Sequence, residues 1–314
     1  MEEILTLTVN PAIDTSCEVD HVMPERKLRC SQPVFEPGGG GLNVSRAIKK
    51  LGGESEALYF YGGFPGQILN NLLAREGINQ QPVETENWTR ENLVVYETST
   101  GQQYRFGMPG PIIKEKEWQG ILEHLKNLDH PPAYLVASGS LSPRMPVGFY
   151  ARISRIAKEK SIRLIVDTSG EALSAALEEG GIYLSKPNIG EFRHIASLSE
   201  KSEEEQIIKK ATEYIDEKKV QVLVISLGSA GSMMVTKEGC RKLRAPAVSI
   251  KSKVGAGDSM VAGITLALAR GLPVEDSVRF GIAAGAAAVM TPGTELCRKD
   301  DAERLYKKMK EDGY

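Results

Sequence analysis

Apolar positions along this chain fall into two kinds of run that alternate. Short, nearly continuous stretches, Ile4–Val9, Ala57–Phe60, Ala133–Ala137, Arg163–Val166, Ile182–Leu184 and Val222–Ile225, read as strands buried on both faces. Between them lie segments with apolar residues every three or four positions, at 42–51, 67–76, 114–127, 146–159, 171–178 and within 189–217. These read as helices with one buried stripe. Strand and helix in regular alternation predict parallel βαβ units, hence a doubly wound, mostly parallel α/β sheet with helices on both faces. Ser232–Val235 and Lys242–Arg244 read as a late hairpin, and three helices at 256–269, 274–290 and 300–310 close the chain.

Two stretches break the alternation. Ser16–Val19 and Arg29–Val34 are short and strand-like but carry charges and Pro33. From 80 to 107 the chain again gives short strands, with Asn92–Glu97, a turn at 99–101 and Gln103–Phe106 forming a hairpin signal. Neither region has the apolar continuity of the main strands. Both are expected to lie outside the main sheet, as a small β-sheet lid or dimer surface inserted at about 15–36 and 86–107 into a single domain spanning 1–314.

Composition narrows the function classes. Hydrophobic residues make up 41% and charged residues 25% of 314 positions, enough for a large core and a solvated surface. A net charge of −2 provides no basic footprint for nucleic acid or anionic lipid. The four cysteines, Cys17, Cys30, Cys240 and Cys297, lie far apart with no C-x-x-C pair, which fits reduced thiols better than a zinc site or disulfide framework. Acids at Glu2 and Glu3 stand where a signal peptide carries lysines, and no apolar run nears the roughly 20 residues of a membrane span. The expectation is a cytoplasmic protein with no nucleic-acid or membrane partner.

The chemistry concentrates in a few polar strings. Val254-Gly255-Ala256-Gly257-Asp258 precedes a strongly helical run, and small residues at a helix start let backbone N–H groups reach a phosphate at the positive end of the dipole. The same string also suits a plain N-cap. Gly38-Gly39-Gly40-Gly41 follows strand-like residues and opens a helix, but Asn43 stands where a Rossmann fingerprint needs its third glycine, and no ribose-binding acid ends the next strand. No G-x-x-x-x-G-K-[ST] string or protein-kinase signature occurs. Asp14, just past the first strand, suits hydrogen bonding to hydroxyls or capping of a turn; Asn188 and Glu191, three apart at a helix start, suit magnesium-bound water or an ordinary cap.

Taken in order, Gly38–Asn43, Lys186-Pro187-Asn188 with Glu191, Ser226–Gly231 and Gly255–Asp258 resemble the ribokinase (PfkB) family of sugar kinases, nearly end to end. Lys27–Cys30, Pro33–Pro37, Trp88–Arg90, Tyr104–Phe106 and Asp167–Leu173 resemble its bacterial 6-phosphofructokinase branch. The resemblance implies a ribokinase-like fold and ATP-dependent phosphorylation of D-fructose 6-phosphate at its 1-hydroxyl. Tagatose 6-phosphate and fructose 1-phosphate kinases are the alternatives, and a non-catalytic sugar-phosphate sensor the alternative from another class.

It further implies that Asp258 is the general base and that the amides of Gly255, Ala256 and Gly257 hold the charge on the transferred phosphoryl group. Asp14, Gly38, Gly39, Asn43 and Ser140 would bind the sugar. Arg90 and Arg105 would bind its phosphate, with Lys27 and Arg29 reaching across a homodimer built through the lid strands. Lys186, Asn188, Ser226, Gly228 and Gly231 would face ATP, with Mg²⁺ held through water by Asn188 and Glu191. Two departures stand out. Lys253 replaces a common Thr beside a potential K⁺ site built with residues near 288–295, and Ser142 and Arg144 replace the usual Pro and Gly after the 133–137 strand.

Overall fold

The strand β1 (Ile4–Thr8) is buried on both faces: Leu5 and Leu7 enter one hydrophobic core and Ile4 a second. A central parallel strand needs this double burial. The computed structural model describes residues 2–291, 293 and 295–313. After β1 come β2 (Ala12–Val19), β3 (Val34–Gly38), α1 (Gly40–Lys50), β4 (Glu56–Tyr61), α2 (Gly63–Arg75), β5 (Asn79–Glu84), β6 (Arg90–Glu97) and β7 (Gln102–Phe106). The regular part follows as α3 (Glu115–Lys126), β8 (Tyr134–Ser138), α4 (Phe149–Glu159), β9 (Arg163–Asp167), α5 (Gly170–Glu179), β10 (Ile182–Ser185), α6 (Ile189–Ile195), α7 (Glu204–Asp216) and β11 (Val220–Ser226). It ends with β12 (Ser232–Thr236), β13 (Gly239–Leu243), α8 (Ala256–Ala269), α9 (Val274–Val289) and α10 (Lys299–Glu311).

Among the described residues, nine strands form the main sheet in the order β13-β12-β11-β10-β9-β8-β1-β4-β5. The seven from β11 to β5 run parallel, and β12 and β13 are antiparallel additions at one edge. One face is covered by α3 to α7 through Trp118, Phe149, Leu173, Phe192 and Ile207; the other by α1, α8, α9 and α10 through Ile48, Val261, Ala284 and Leu305. The sequence order reverses at β1, which pairs with β4 on one side and β8 on the other. Open α/β sheets bind ligands outside the carboxyl ends of the strands at such a switch point.

The second sheet has the order β3-β2-β6-β7, with β2 and β6 parallel and the outer pairs antiparallel. A separate small sheet is present, as the sequence pattern implies, and several element boundaries differ from those expected. β5, expected in the outlying sheet from the run beginning at 80, instead pairs in parallel with β4 and completes the main sheet. As an edge strand with alternating exposure, it lacks the apolar continuity that marks the inner strands. Residues 29–33 are not strand; regular pairing begins at Val34, after Pro33. The helix expected from 67 begins at Gly63, with Pro65 in a first turn that has no intrahelical N–H bonds to lose. In the loop after β8, Ser142 donates to the Val9 carbonyl (2.8 Å) and Arg144 adopts a φ of 65°, a conformation that glycine adopts without strain.

The helix α8 is buried continuously from Ser259 to Ala269 and packs between α1 and α9. A Cβ at Gly263 would lie 2.9 Å from the Gly281 Cα and from the Ala284 Cβ, so the α8–α9 backbones meet through small residues. Gly263→Val is expected to lower stability by about 1–3 kcal/mol or more through overpacking. Urea unfolding checks this, and an unchanged midpoint would show that the seam has room to spare.

Candidate active site

The carboxyl ends of β1, β8, β9 and β10 meet the N-termini of α1 and α8. The four-glycine run follows from that crowding. A Cβ at Gly41 would stand 2.5 Å from the Leu7 carbonyl oxygen, one at Gly38 would stand 2.5 Å from the Asp14 Oδ2, and Gly39 has a φ of 118°. Backbone therefore approaches the strand ends as closely as the main chain permits.

Gly255, in the left-handed conformation with φ 73°, turns the chain into α8. The N–H groups of Gly255 to Asp258 have no intrahelical acceptor, because Ser259 is the first residue to bond back, to the Gly255 carbonyl (2.8 Å). Asp258 lies in this first turn, its carboxylate open to the cleft but crowded by protein. Burial, then the charge of Asp167, raise its pKa to about 6; Asn43 and Lys186 act in the opposite direction, and Asp14 adds to the rise. Asn43 Nδ2 donates to Asp258 Oδ2 at 2.9 Å.

Arg46, 3% exposed, fixes that amide: its Nη1 donates to Asn43 Oδ1 (3.3 Å), so Nδ2 must face Asp258. The same guanidinium grips both oxygens of Glu76 (2.8 Å each) and the Pro37 carbonyl (2.8 Å), tying α1 to the end of α2 and the glycine run. Lys186, just past β10, ion-pairs with Asp167 (3.2 Å), the last residue of β9. Desolvation works against its charge, but Asp167, Asp258 and Glu191 prevail and hold its pKa above the ordinary value. A Cβ on Gly257 would sit 3.6 Å from Lys186 Nζ, so the ammonium lies beside the free amides of α8.

Asp14, near the start of β2, accepts from Asn92 Nδ2 (2.8 Å), and Asn92 Oδ1 accepts from the Met108 N–H (3.1 Å). Arg90, at the start of β6, donates to the carbonyls of Met108 (3.2 Å) and Asn10 (3.1 Å). Burial lowers its pKa, and the charge of Asp14 opposes that change. Ser140 follows β8 and holds Asn10 through its hydroxyl (3.1 Å). Asp14, Asn92, Arg90, Asn10 and Ser140 thus belong to one group of hydrogen-bonded polar residues that joins the lid to the ends of the main strands.

Asn188 and Ser226 are neighbours across a parallel bridge. Asn188 and Glu191 form a reciprocal capping box for α6, with Asn188 Oδ1 accepting from the Glu191 N–H (2.9 Å) and Glu191 Oε2 from the Asn188 N–H (2.8 Å). The ordinary capping role is therefore present, and Glu191 Oε1 has no hydrogen bond among the described residues. Gly228 is exposed, with open space where a Cβ would be. Gly231 is buried, and a Cβ there would crowd the Leu243 carbonyl of β13, so packing by itself requires glycine at that position. Among the described residues no three His, Cys, Asp or Glu side chains converge as a cation site. These donors fit a divalent ion that arrives on nucleotide phosphates and keeps most of its water.

Lys27 and Arg29, between β2 and β3, are exposed and have no ion-pair or hydrogen-bond partner among the described residues. Arg105 is exposed on β7 opposite Val94. They are not drawn into the cluster within one protomer. Of the expected K⁺ segment, Pro292 and Thr294 lie outside the described residues; Ser252 Oγ donates to the Gly293 carbonyl (2.7 Å), and Lys253 is exposed. Sequence reading assigned no role to Asp167, Arg46 or Asn92. An acid closing a buried strand and an arginine between Leu42 and Ile48 on an apolar helix face were visible signals for the first two; Asn92 gave none.

A family model described as pfkB family carbohydrate kinase matches residues 7–301. The chain belongs to the pfkB family of carbohydrate kinases. It is 44% identical to the ATP-dependent 6-phosphofructokinase isozyme 2 of Escherichia coli K12 over 306 residues, 98% of each chain. The protein of that name from Mycobacterium tuberculosis H37Rv is 41% identical over 303 residues, covering 96% of this chain and 88% of that one. The crystal structure of E. coli phosphofructokinase-2 in complex with potassium superposes with a TM-score of 0.94 at 42% identity, covering 99% of this chain and 100% of the other. The kinase fold is ribokinase-like, as the resemblance implied.

A base with a pKa of about 6 must be unprotonated to act, so kcat/KM should fall about tenfold per unit as the pH drops below that value. Lys186→Met removes the cation that lowers the Asp258 pKa and leaves Asp167 unpaired, so the acid limb should move to higher pH. A pH–rate profile checks both, and an unmoved limb would uncouple Lys186 from Asp258.

Proposed function

We infer that this chain transfers the γ-phosphoryl group of ATP to the 1-hydroxyl of D-fructose 6-phosphate, giving fructose 1,6-bisphosphate. The observation that carries this reading is the position of Asp258, in the first turn of α8, hydrogen-bonded to Asn43 and beside the buried Lys186. There a carboxylate faces hydroxyl-binding groups on one side and anion-binding amides on the other.

In the proposed mechanism, Asp14, Asn43 and the Gly38 and Gly39 amides hold the sugar hydroxyls. Asp258 accepts the proton of the 1-hydroxyl as the oxygen attacks in line. The Gly255, Ala256 and Gly257 amides, aligned with the helix dipole, take up charge on the transferred group, and Lys186 adds a positive field beside them. Arg90 and Arg105 grip the 6-phosphate, with Ser140 nearby and Lys27 and Arg29 supplied by a second subunit. ATP lies along Lys186, Asn188, Ser226 and Gly228. The accompanying divalent ion is proposed to be Mg²⁺, neutralising phosphate charge and oriented through water by Asn188 and Glu191. A K⁺ site beside 252–254 is proposed as well, by analogy with the potassium complex of the E. coli protein.

Asp258→Asn should leave ATP binding largely intact and cut turnover by roughly 10²–10⁴. A coupled ADP-release assay comparing fructose 6-phosphate, tagatose 6-phosphate, fructose 1-phosphate and unphosphorylated sugars tests the substrate. Preference for another sugar would move the assignment to a sister kinase, and no turnover on any would favour a sensor.

Dimerisation is proposed through the lid, where Val34 (55% exposed), Phe35 (45%) and Phe106 (46%) expose apolar surface. A mass near twice that of the protomer is expected in solution, and Phe35→Glu should yield monomers with a raised KM for the sugar phosphate. A wild-type monomer would remove Lys27 and Arg29 from the site.

A further inference from the structure

Asn10, between β1 and β2, is 6% exposed and joins two elements that have no sequence proximity. Its Nδ2 donates to Ser140 Oγ (3.1 Å) and to the Leu141 carbonyl (3.2 Å), in the loop after β8 of the main sheet. Its own carbonyl accepts from Arg90 Nη2 (3.1 Å), on the lid strand β6. A carbonyl can only accept, so Leu141 fixes which end of the amide is which. That leaves Oδ1 facing Gly110, where any Cβ would overlap it. Glycine at 110 is thus required by the amide's position.

Two buried atoms in this network have no hydrogen-bond partner among the described residues: Asn10 Oδ1 and Arg90 Nε. An unmet acceptor and an unmet donor on two residues already in contact are costly when buried. Arg90 belongs to the lid and Ser140 to the main sheet, so their relative position depends on whatever spans the two. Asn10 spans them, with its side chain on one and its main chain on the other.

We propose that Asn10 is a positioning residue for sugar-phosphate recognition, holding Ser140 of the main sheet and Arg90 of the lid in one register. This rests on the reading that Arg90 and Ser140 face the sugar phosphate. Asp258 and Lys186 are bonded to other partners, so Asn10 should influence binding of the sugar and leave the nucleotide side alone.

The test is steady-state kinetics on the full-length enzyme. Asn10→Ala should raise the KM for fructose 6-phosphate about fivefold to tenfold, the worth of one buried hydrogen bond, with the KM for ATP within twofold and kcat little changed. Asn10→Asp keeps the shape but removes both donors and should raise the same KM, which covers the case in which the alanine variant folds poorly. Ser140→Ala should cost about as much as Asn10→Ala, and the double variant no more than the worse single one. An unchanged sugar KM in both Asn10 variants, equal losses for sugar and ATP, or additive losses with Ser140→Ala would overturn the proposal. Arg90→Ala separates the two levels: if it leaves the sugar KM unchanged, the pocket assignment itself fails, whereas a rise in Arg90→Ala alone defeats only the role of Asn10.

Discussion

A carboxylate has to ionise where little water reaches it, and much of this site is arranged around that difficulty. Burial, Asp167 and Asp14 all favour the neutral form of Asp258, while Asn43 and Lys186 favour the charged one. The balance settles near a pKa of about 6, close to where a general base is most effective at neutral pH. A fully solvated aspartate would be ionised but weakly basic, and an unopposed buried one would stay protonated. The groups that set this balance come from α1, β2, β9 and the end of β10, so it depends on both sheets holding four distant segments together.

Two buried cations keep those segments together. Lys186 links the ends of β9 and β10 to the start of α8. Arg46 links α1, α2 and the Pro37 carbonyl, and through Asn43 it reaches Asp258 itself. Each is paired, as a buried charge must be, and losing a partner would leave an uncompensated charge in the interior. The lid contributes differently. Its sheet holds Asp14 and Arg90 on adjacent parallel strands, with Ala12 opposite Arg90, and places them against the cleft from outside. In the proposed roles, phosphoryl transfer draws on α8 and the end of β10, whereas sugar recognition draws on both sheets, with Asp14 and Arg90 from the lid and Asn43 and Ser140 from the main domain.

The sequence by itself determined the class of fold and marked a candidate anion site at a helix start. Continuous apolar strands alternating with amphipathic helices leave a parallel sheet as the way to bury both faces, and small residues before an acid at a helix start are local chemistry that needs no distant partner. Only the tertiary structure decided the rest. β5 is too polar to declare itself a main-sheet strand, and it becomes one because β4 offers a free edge. Asn92 and Asn10 look like ordinary polar residues until folding brings Asp14 and Arg90 beside them, and Asp167 and Arg46 gain their partners Lys186 and Glu76 only then. The cause is that helix and strand periodicity is written into neighbouring residues, whereas a pKa or an oriented guanidinium depends on groups tens to hundreds of positions away. The Gly255–Asp258 string could be read locally as an anion site; the raised pKa of its aspartate belongs to the folded chain.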